Sequence, residues 1–242
     1  MVDTAFVLAG GLGTRLSSVV SKVPKPMATV AGRPFLEHLL DYLLAQGVEH
    51  IVLCVGHLRS VIQGHFGDCY NGTPVAYSVE QEPAGTGGAL SRALEEFRPD
   101  SPFLVCNGDT YFPIDISGLE AGARGHSWAV ATFRTTDTGR YGALSVDRGG
   151  LLRDVRADSR DARAPAATEI QANSGVWIGV PGKINLPLLT KEKRYSLEEY
   201  MSQSLRTGAI SAIAHDFDST FIDIGLPNDF SRAQTMPLFV GR

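Results

Sequence analysis

Cysteine is scarce in this 242-residue chain, and none of it is arranged as a site. Cys54, Cys69 and Cys106 are odd in number, and none stands at metal-ligand spacing from another. Cys54 and Cys106 lie in apolar runs, where cysteine behaves as a small buried hydrophobe, so the chain reads as built for a reducing compartment. The six histidines show no ligand spacing and no HExxH occurs, which leaves them as core or solvated residues. Long basic runs are absent and the net charge is −4, which argues against nucleic acid as the main partner. A local basic pocket for phosphates remains compatible with that charge. No apolar stretch approaches the length of a membrane span, and Met1-Val2-Asp3-Thr4 lacks a basic region and a cleavage site. The expected location is therefore the cytoplasm, with no membrane partner. Internal repeats are absent too. What remains, 43% hydrophobic and 20% charged, is the composition of a globular chain long enough for one substantial core.

Against these absences stands one dense segment. Leu8-Ala9-Gly10-Gly11-Leu12-Gly13-Thr14-Arg15-Leu16 follows the apolar stretch Ala5 to Leu8, and Pro24-Lys25-Pro26 comes shortly after. Glycines let backbone N–H groups approach phosphate oxygens closely. Arg15 offers a planar fork of donors, and Lys25 a mobile point charge. The combination suits a polyphosphate. Two better-known phosphate loops do not fit: a dinucleotide fingerprint needs a glycine where Leu16 stands, and a P-loop needs Gly-Lys-Ser/Thr at its end.

Apolar runs and helical patterns alternate through the first half. Strands are expected at Thr4–Ala9, His50–Val55, Val75–Val79 and Phe103–Cys106, and helices at Pro34–Gln46, Leu58–Phe66 and Gly87–Phe97. This alternation predicts a parallel sheet with crossover helices. The second half predicts shorter strands, at Trp128–Phe133, Ala143–Val146, Leu151–Val155, Gly175–Val180, Ile210–Ala214 and Phe221–Ile224. Arg156–Thr168 reads as an exposed loop. Ser196-Leu197-Glu198-Glu199 is a capping-box pattern opening a helix to about Arg206, which makes Glu199 a cap, and Pro227–Gln234 reads as a last helix.

Ligands of open α/β sheets bind beyond the carboxyl ends of the strands. The glycine loop follows the first strand, Asn107-Gly108-Asp109 follows the fourth, and Glu80 follows the third, so all three belong on one edge. Asp109 read alone is a turn residue or a ligand. Asp223, between apolar neighbours in Phe221-Ile222-Asp223-Ile224-Gly225, is either buried and paired or a ligand, whereas Asp216 and Asp218 read as surface. A carboxylate at position 80 can accept both donors of a guanine edge, N1–H and the N2 amino group, and would repel the carbonyls that flank N3–H of thymine or uracil. The plain alternative is a Glu80 that points to solvent.

The Gly-Gly-x-Gly-Thr-Arg loop and the Pro-Lys-Pro segment resemble those of the sugar-phosphate nucleotidyltransferases, and the resemblance runs from Ala5 to about Arg232. It implies an α/β fold with a Rossmann-like, mostly parallel sheet (the nucleotidyltransferase fold, glycosyltransferase-A-like) and an additional small antiparallel sugar-binding part. It implies one domain over residues 1–242, with 1–112 for the nucleotide and 113–242 for the sugar phosphate, and no C-terminal β-helix. Arg15 would hold the triphosphate and Lys25 would neutralise charge between the α-phosphate and the incoming sugar phosphate. Asp109 and Asp223 would hold Mg²⁺. Leu8, Ala9, Gly10, Gly11, Gly13 and Thr14 would line the nucleotide, together with Glu80, Gly85, Thr86, Asn107 and Gly108. In the thymidylyl relatives a glutamine stands where Glu80 is, which favours GTP here. Tyr141, Gly142 and Asn173 would line the sugar phosphate. The family's Glu-Lys-Pro is missing, and Arg156 is the candidate replacement for its lysine.

Within the family, Asn107-Gly108-Asp109-Thr110-Tyr111-Phe112 and Gly32-Arg33-Pro34-Phe35-Leu36-Glu37 narrow the resemblance to bacterial guanylyltransferases acting on D-glycero-D-manno-heptose 1-phosphate. The expected partners are GTP and a sugar 1-phosphate, with a homo-oligomer left open. Mannose 1-phosphate, a cyclitol phosphate, a thymidylyl- or uridylyltransferase and a non-catalytic subunit stay as alternatives.

Overall fold

The computed structural model describes residues 1–11, 23–137, 141, 143–155, 169–184, 186 and 194–240. In chain order, Thr4–Leu8 forms β1, Thr29–Val30 and Arg33–Pro34 form the hairpin β2–β3, Phe35–Ala45 is α1 and His50–Val55 is β4. Arg59–Phe66 (α2), Cys69–Tyr70 (β5), Thr73–Val79 (β6), Gly85–Phe97 (α3) and Phe103–Asn107 (β7) follow. Then come Thr110–Tyr111 (β8), Ile116–Ala123 (α4), Trp128–Thr135 (β9), Leu144–Val146 (β10) and Leu152–Val155 (β11). Ile170–Gly179 (β12), Leu197–Arg206 (α5), Ala212–Asp216 (β13), Ile222–Asp223 (β14) and Pro227–Ala233 (α6) complete the described elements.

Eight strands form the main sheet in the order β13-β9-β12-β7-β1-β4-β6-β5. β1 pairs in parallel with β4 and β7, and β4 with β6. β12 lies between β7 and β9 and is antiparallel to both, so the sheet is mostly rather than wholly parallel. Alternation along β1 and β4 feeds two cores: Ala5, Val7, Ile51, Leu53 and Val55 face one, while Phe6, Val52 and Cys54 face the other. Sheets covered on both faces need such continuous apolar strands. Trp128 and Trp177 meet edge to face in the second core at 6.3 Å. Cys54 and Cys106 are buried thiols and Cys69 is exposed.

The differences from the expected elements have local causes. α4 was not foreseen, because its sequence Ile-Ser-Gly-Leu-Glu-Ala-Gly-Ala carries two glycines that lower helix propensity. Gly122 is required there, since the ring of His215 occupies the space a Cβ would fill. β12 starts at Ile170, not Gly175. Gly175 has φ +76° and sits within a shift of register between Asn173 and Trp177, so a bulge in mid-strand looked like a strand start. The Ser196–Glu199 capping box forms as read, with Glu199 as its acidic partner. Asp216 and Asp218 are exposed. The 156–168 loop lies outside the described residues. Among those described, no helix is long and apolar enough to cross a membrane.

Candidate active site

Parallel pairing brings four strand ends together. Leu8 stands in register with Cys54 and with Asn107, and Val55 with Val79. The segments after β1, β6 and β7 therefore open on one edge. Gly108 N–H donates to the Leu8 carbonyl at 2.9 Å. A Cβ on Gly108 would stand 3.2 Å from that oxygen and 3.3 Å from Ala9 Cβ and Pro26 Cγ, so a larger residue would push the two strand ends and the lysine segment apart by a few tenths of an ångström.

Lys25 begins a single 3₁₀ turn, Lys25–Met27. Pro24 and Pro26 preset its backbone, and buried Pro26 and Met27 anchor it against the core. That anchorage aims the side chain: Lys25 Nζ donates to Asp109 Oδ2 at 2.9 Å. Asp109 occupies the turn between β7 and β8. β14 pairs antiparallel with β8, setting Asp223 opposite Thr110, and Ile224 N–H donates to the Asp109 carbonyl at 3.1 Å. Asp109, 84 positions from Lys25, thus contacts its ammonium, and Asp223, 198 positions away, lies within reach of its charge. Asp223 Oδ1 accepts from Gly225 N–H at 2.7 Å. Burial pushes the Asp223 carboxyl above the usual carboxylate range, and the charge of Asp109 adds to this, against the pull of Lys25. Gly225 leaves room for the cluster as it stands, since a Cβ there would come within 2.5 Å of Lys25 Nζ and 2.7 Å of Asp223 Oδ1 and displace those side-chain ends.

Glu80 does not point to solvent; it is 8% exposed. Its Oε1 accepts from Ala84 N–H at 3.1 Å. Its Oε2 lies against the glycine loop, where a Cβ on Gly10 would be 2.5 Å away and one on Gly56 3.5 Å away. Burial raises its pKa, while Ala84 N–H and the charge of Arg92 oppose the rise.

Lys25, Asp109 and Glu80 share one cleft of about 530 Å³, lined also by Leu8, Ala9, Gly10, Gly11, Gly85, Thr86 and Asn107. Gly10 and Glu80 also border an adjoining cleft with Gly56, His57 and Arg59. α3 points its N-terminus at this edge, where the helix dipole favours anions, although the Gly87 N–H is already donated to the Tyr195 carbonyl at 3.1 Å. Gly85, at φ +80°, opens that helix against the backbone of Tyr195, leaving no space for a Cβ. Thr86 Oγ1 accepts from Leu197 N–H at 2.9 Å, so α3 and α5 join at their N-termini.

Tyr141 packs edge to face on Phe133 at 5.1 Å and Phe221 at 5.5 Å, next to the Asp223 strand. Asn173 reaches Glu198 Oε1 through Nδ2 at 3.3 Å. Gly13, Thr14, Arg15, Gly142 and Arg156 lie outside the described residues. Two contributors were not anticipated. Gly225 carries a signal in hindsight, a glycine two residues after an apolar-flanked aspartate. Glu198 was hidden by the capping box around it.

The arrangement offers two hard carboxylate donors, one compensating cation and a glycine-lined edge. Magnesium is held by one or two carboxylates plus phosphate oxygens, so the donor set fits a hard divalent ion. Asp223, half-buried beside a second carboxylate, is short of positive charge, which supports the same fit. Among the described residues no group of three or more His, Cys, Asp or Glu side chains gathers as a metal site.

A family model described as nucleotidyl transferase matches residues 4–158. The chain is 34% identical over 226 residues to a D-glycero-alpha-D-manno-heptose 1-phosphate guanylyltransferase of Campylobacter jejuni, covering 93% of this chain and 96% of that one. It is 34% identical to the enzyme of the same name from Aneurinibacillus thermoaerophilus, covering 95% and 96%. The crystal structure of HddC from Yersinia pseudotuberculosis complexed with GMP-PN superposes with a TM-score of 0.79 at 31% identity, covering 96% of this chain and 97% of that one.

Proposed function

The chain belongs to the nucleotidyl transferase family, and from that premise we propose that it transfers GMP from GTP to a sugar 1-phosphate, with D-glycero-α-D-manno-heptose 1-phosphate as the acceptor. The observation that carries the reading is the common cleft: a buried acidic side chain, Glu80, shares it with Lys25 and Asp109. The names of the relatives supply the acceptor. Residues 1–112 would serve the nucleotide and 113–242 the sugar phosphate, within one domain. The reaction would run in the cytoplasm, without a nucleic-acid or membrane partner.

In this reading a phosphate oxygen of the sugar 1-phosphate attacks the α-phosphorus of GTP in line. The new O–P bond forms as the bond to the β-phosphate oxygen breaks, and pyrophosphate leaves with the electron pair. The nucleophile is already anionic, so no general base is needed. Catalysis is then positioning and offset of charge. Lys25 lowers the repulsion between the two phosphate groups, and its contact with Asp109 sets where its ammonium stands. Leu8 through Gly11 and the α3 N-terminus at Gly85 and Thr86 receive the nucleotide, with Gly13, Thr14, Asn107 and Gly108. Glu80 accepts the guanine N1–H and N2–H. Arg15 holds the departing pyrophosphate, and Tyr141, Gly142, Arg156 and Asn173 serve the acceptor.

The family generally uses a divalent metal ion. Mg²⁺ is the ion we assign, with Asp109 and Asp223 as its protein ligands, and when bound it would supply positive charge at the reacting phosphates.

The test is pyrophosphate release with GTP, ATP, CTP, UTP and dTTP, each paired with heptose, mannose and glucose 1-phosphates, with and without Mg²⁺. Metal-dependent release with GTP and the heptose is the expected result. Release with UTP or dTTP in place of GTP refutes the base assignment. Silence in every pairing refutes the proposed reaction.

A further inference from the structure

We propose that Glu198 recognises the acceptor sugar by accepting hydrogen bonds from its hydroxyls, and that Asn173 is the brace that aims the Glu198 carboxylate. The proposal rests on the guanylyl-transfer reading above and adds a residue to it.

Glu198 is the second residue of α5 and is half-buried. The Ser196 hydroxyl and the Glu198 backbone N–H donate to its carboxylate, so the helix start holds it on one side. Ser196 Oγ accepts from Glu199 N–H at 3.1 Å, and Glu199 Oε2 accepts from Ser196 N–H at 2.7 Å, which completes the box without Glu198. Among the described residues no lysine or arginine forms an ion pair with it. A carboxylate withdrawn from water without a cation holds its proton more tightly, and burial raises the Glu198 pKa above the ordinary value. Neutral donors such as hydroxyls satisfy such a group without importing a charge.

Asn173 is committed at both ends of its amide. Its Oδ1 accepts from Gly175 N–H at 2.9 Å, and its Nδ2 donates to Glu198 Oε1. One N–H of this amide thus fixes the Glu198 carboxylate. The pair sits between two residues that line the nucleotide cleft. Leu197, next to Glu198, donates its N–H to Thr86 Oγ1. On the other flank, the Asn107 side-chain amide fills the space where Gly175 would carry a Cβ. Both Thr86 and Asn107 line the cleft with Lys25 and Asp109.

Charge then orients the acceptor. Its 1-phosphate is drawn to Lys25 and repelled by Glu198, so the hydroxyl face of the sugar turns toward Glu198. Two adjacent hydroxyls can donate to one carboxylate at once, which makes the residue a selector of hydroxyl configuration.

The experiment is steady-state kinetics on Glu198→Gln, Glu198→Asp and Asn173→Ala. The sugar 1-phosphate is varied at saturating GTP, then GTP at saturating acceptor. Hydrogen bonds to charged groups are worth about 1.5–3 kcal/mol, so Glu198→Gln should raise the acceptor KM by about 10-fold or more, with the GTP KM within about two-fold. Glu198→Asp, with its charge drawn back by one methylene, should raise it too. Asn173→Ala should raise the acceptor KM, and Glu198→Gln should add little in that background, a non-additivity that a merely structural asparagine would not produce. An active wild type whose acceptor KM is unmoved in both Glu198 variants overturns the assignment. Equal effects on both substrates also overturn it, because they mark a structural role. A wild type that releases no pyrophosphate from GTP with any acceptor overturns the guanylyl-transfer reading, and this proposal falls with it.

Discussion

Glu80→Gln tests the base assignment at one atom. Ala84 N–H donates to Glu80 Oε1 at 3.1 Å, in a setting only 8% exposed. A buried N–H left without an acceptor costs about 1–3 kcal/mol, so the glutamine must keep its carbonyl oxygen on Ala84. Its NH₂ then takes the place of Oε2, beside Gly10 and Gly56. An acceptor facing guanine thus becomes a donor facing guanine, opposite N1–H and the N2 amino group. Losing charge-assisted hydrogen bonds worth about 1.5–3 kcal/mol lowers kcat/KM for GTP by about 10- to 150-fold. The same NH₂ suits a pyrimidine carbonyl, so kcat/KM for UTP or dTTP should hold or rise. The assay is pyrophosphate release with GTP, UTP and dTTP under first-order conditions. An unchanged GTP-to-UTP ratio would refute the reasoning and leave Glu80 as a strut for Ala84.

Three further outcomes follow from the Lys25 cluster. Lys25→Ala should lower kcat by about 10²–10³, as for loss of one electrostatic donor, and near-normal turnover would remove the lysine from the chemistry. Gly225→Ala forces a Cβ within 2.5 Å of Lys25 Nζ, so the ammonium must move; kcat should fall by about 10² while the melting temperature barely changes, because the clash is with flexible side-chain ends. Asp223→Asn should abolish most turnover yet stabilise the fold near neutral pH. The sign follows from the raised Asp223 pKa: between the unfolded and folded values the native state holds more protons, so wild-type stability falls as pH rises through that window. Asparagine removes the penalty, and thermal unfolding should show a gain near pH 7 that vanishes below about pH 4, where the unfolded carboxyl is also protonated. A variant less stable than wild type at pH 7 would contradict this.

How far the fold could be read in advance depended on where each element keeps its information. β4 was expected at His50–Val55 and forms there, since a strand buried on both faces is one unbroken apolar run. α1 and α5 carry their own periodicity and stops. α4 was unreadable because its glycines are chosen for a neighbour: Gly122 exists to admit His215 from β13. The early half of β12 was lost for a similar reason, since Gly175 at φ +76° serves the Asn107 amide rather than the strand.

The same distinction divides the candidate site. The nucleotide side is made largely of backbone at strand ends, so contiguous runs such as Leu8–Gly11 and Asn107–Asp109 announce it. The proposed acceptor side is made of side chains that meet only after folding. Asn173 and Glu198 lie 25 positions apart, and no spacing rule joins them. Glu198 also sits inside a capping box, where a local explanation is already complete and a reader stops looking. The structure separates the two acidic residues by their reach: Glu199 bonds the Ser196 N–H, whereas Glu198 also takes a hydrogen bond from an asparagine of another strand. Sugar selectivity in this chain should change through residues such as Glu198 and Asn173, while Leu8–Gly11, Lys25, Asp109 and Asp223 stay tied to the transfer itself.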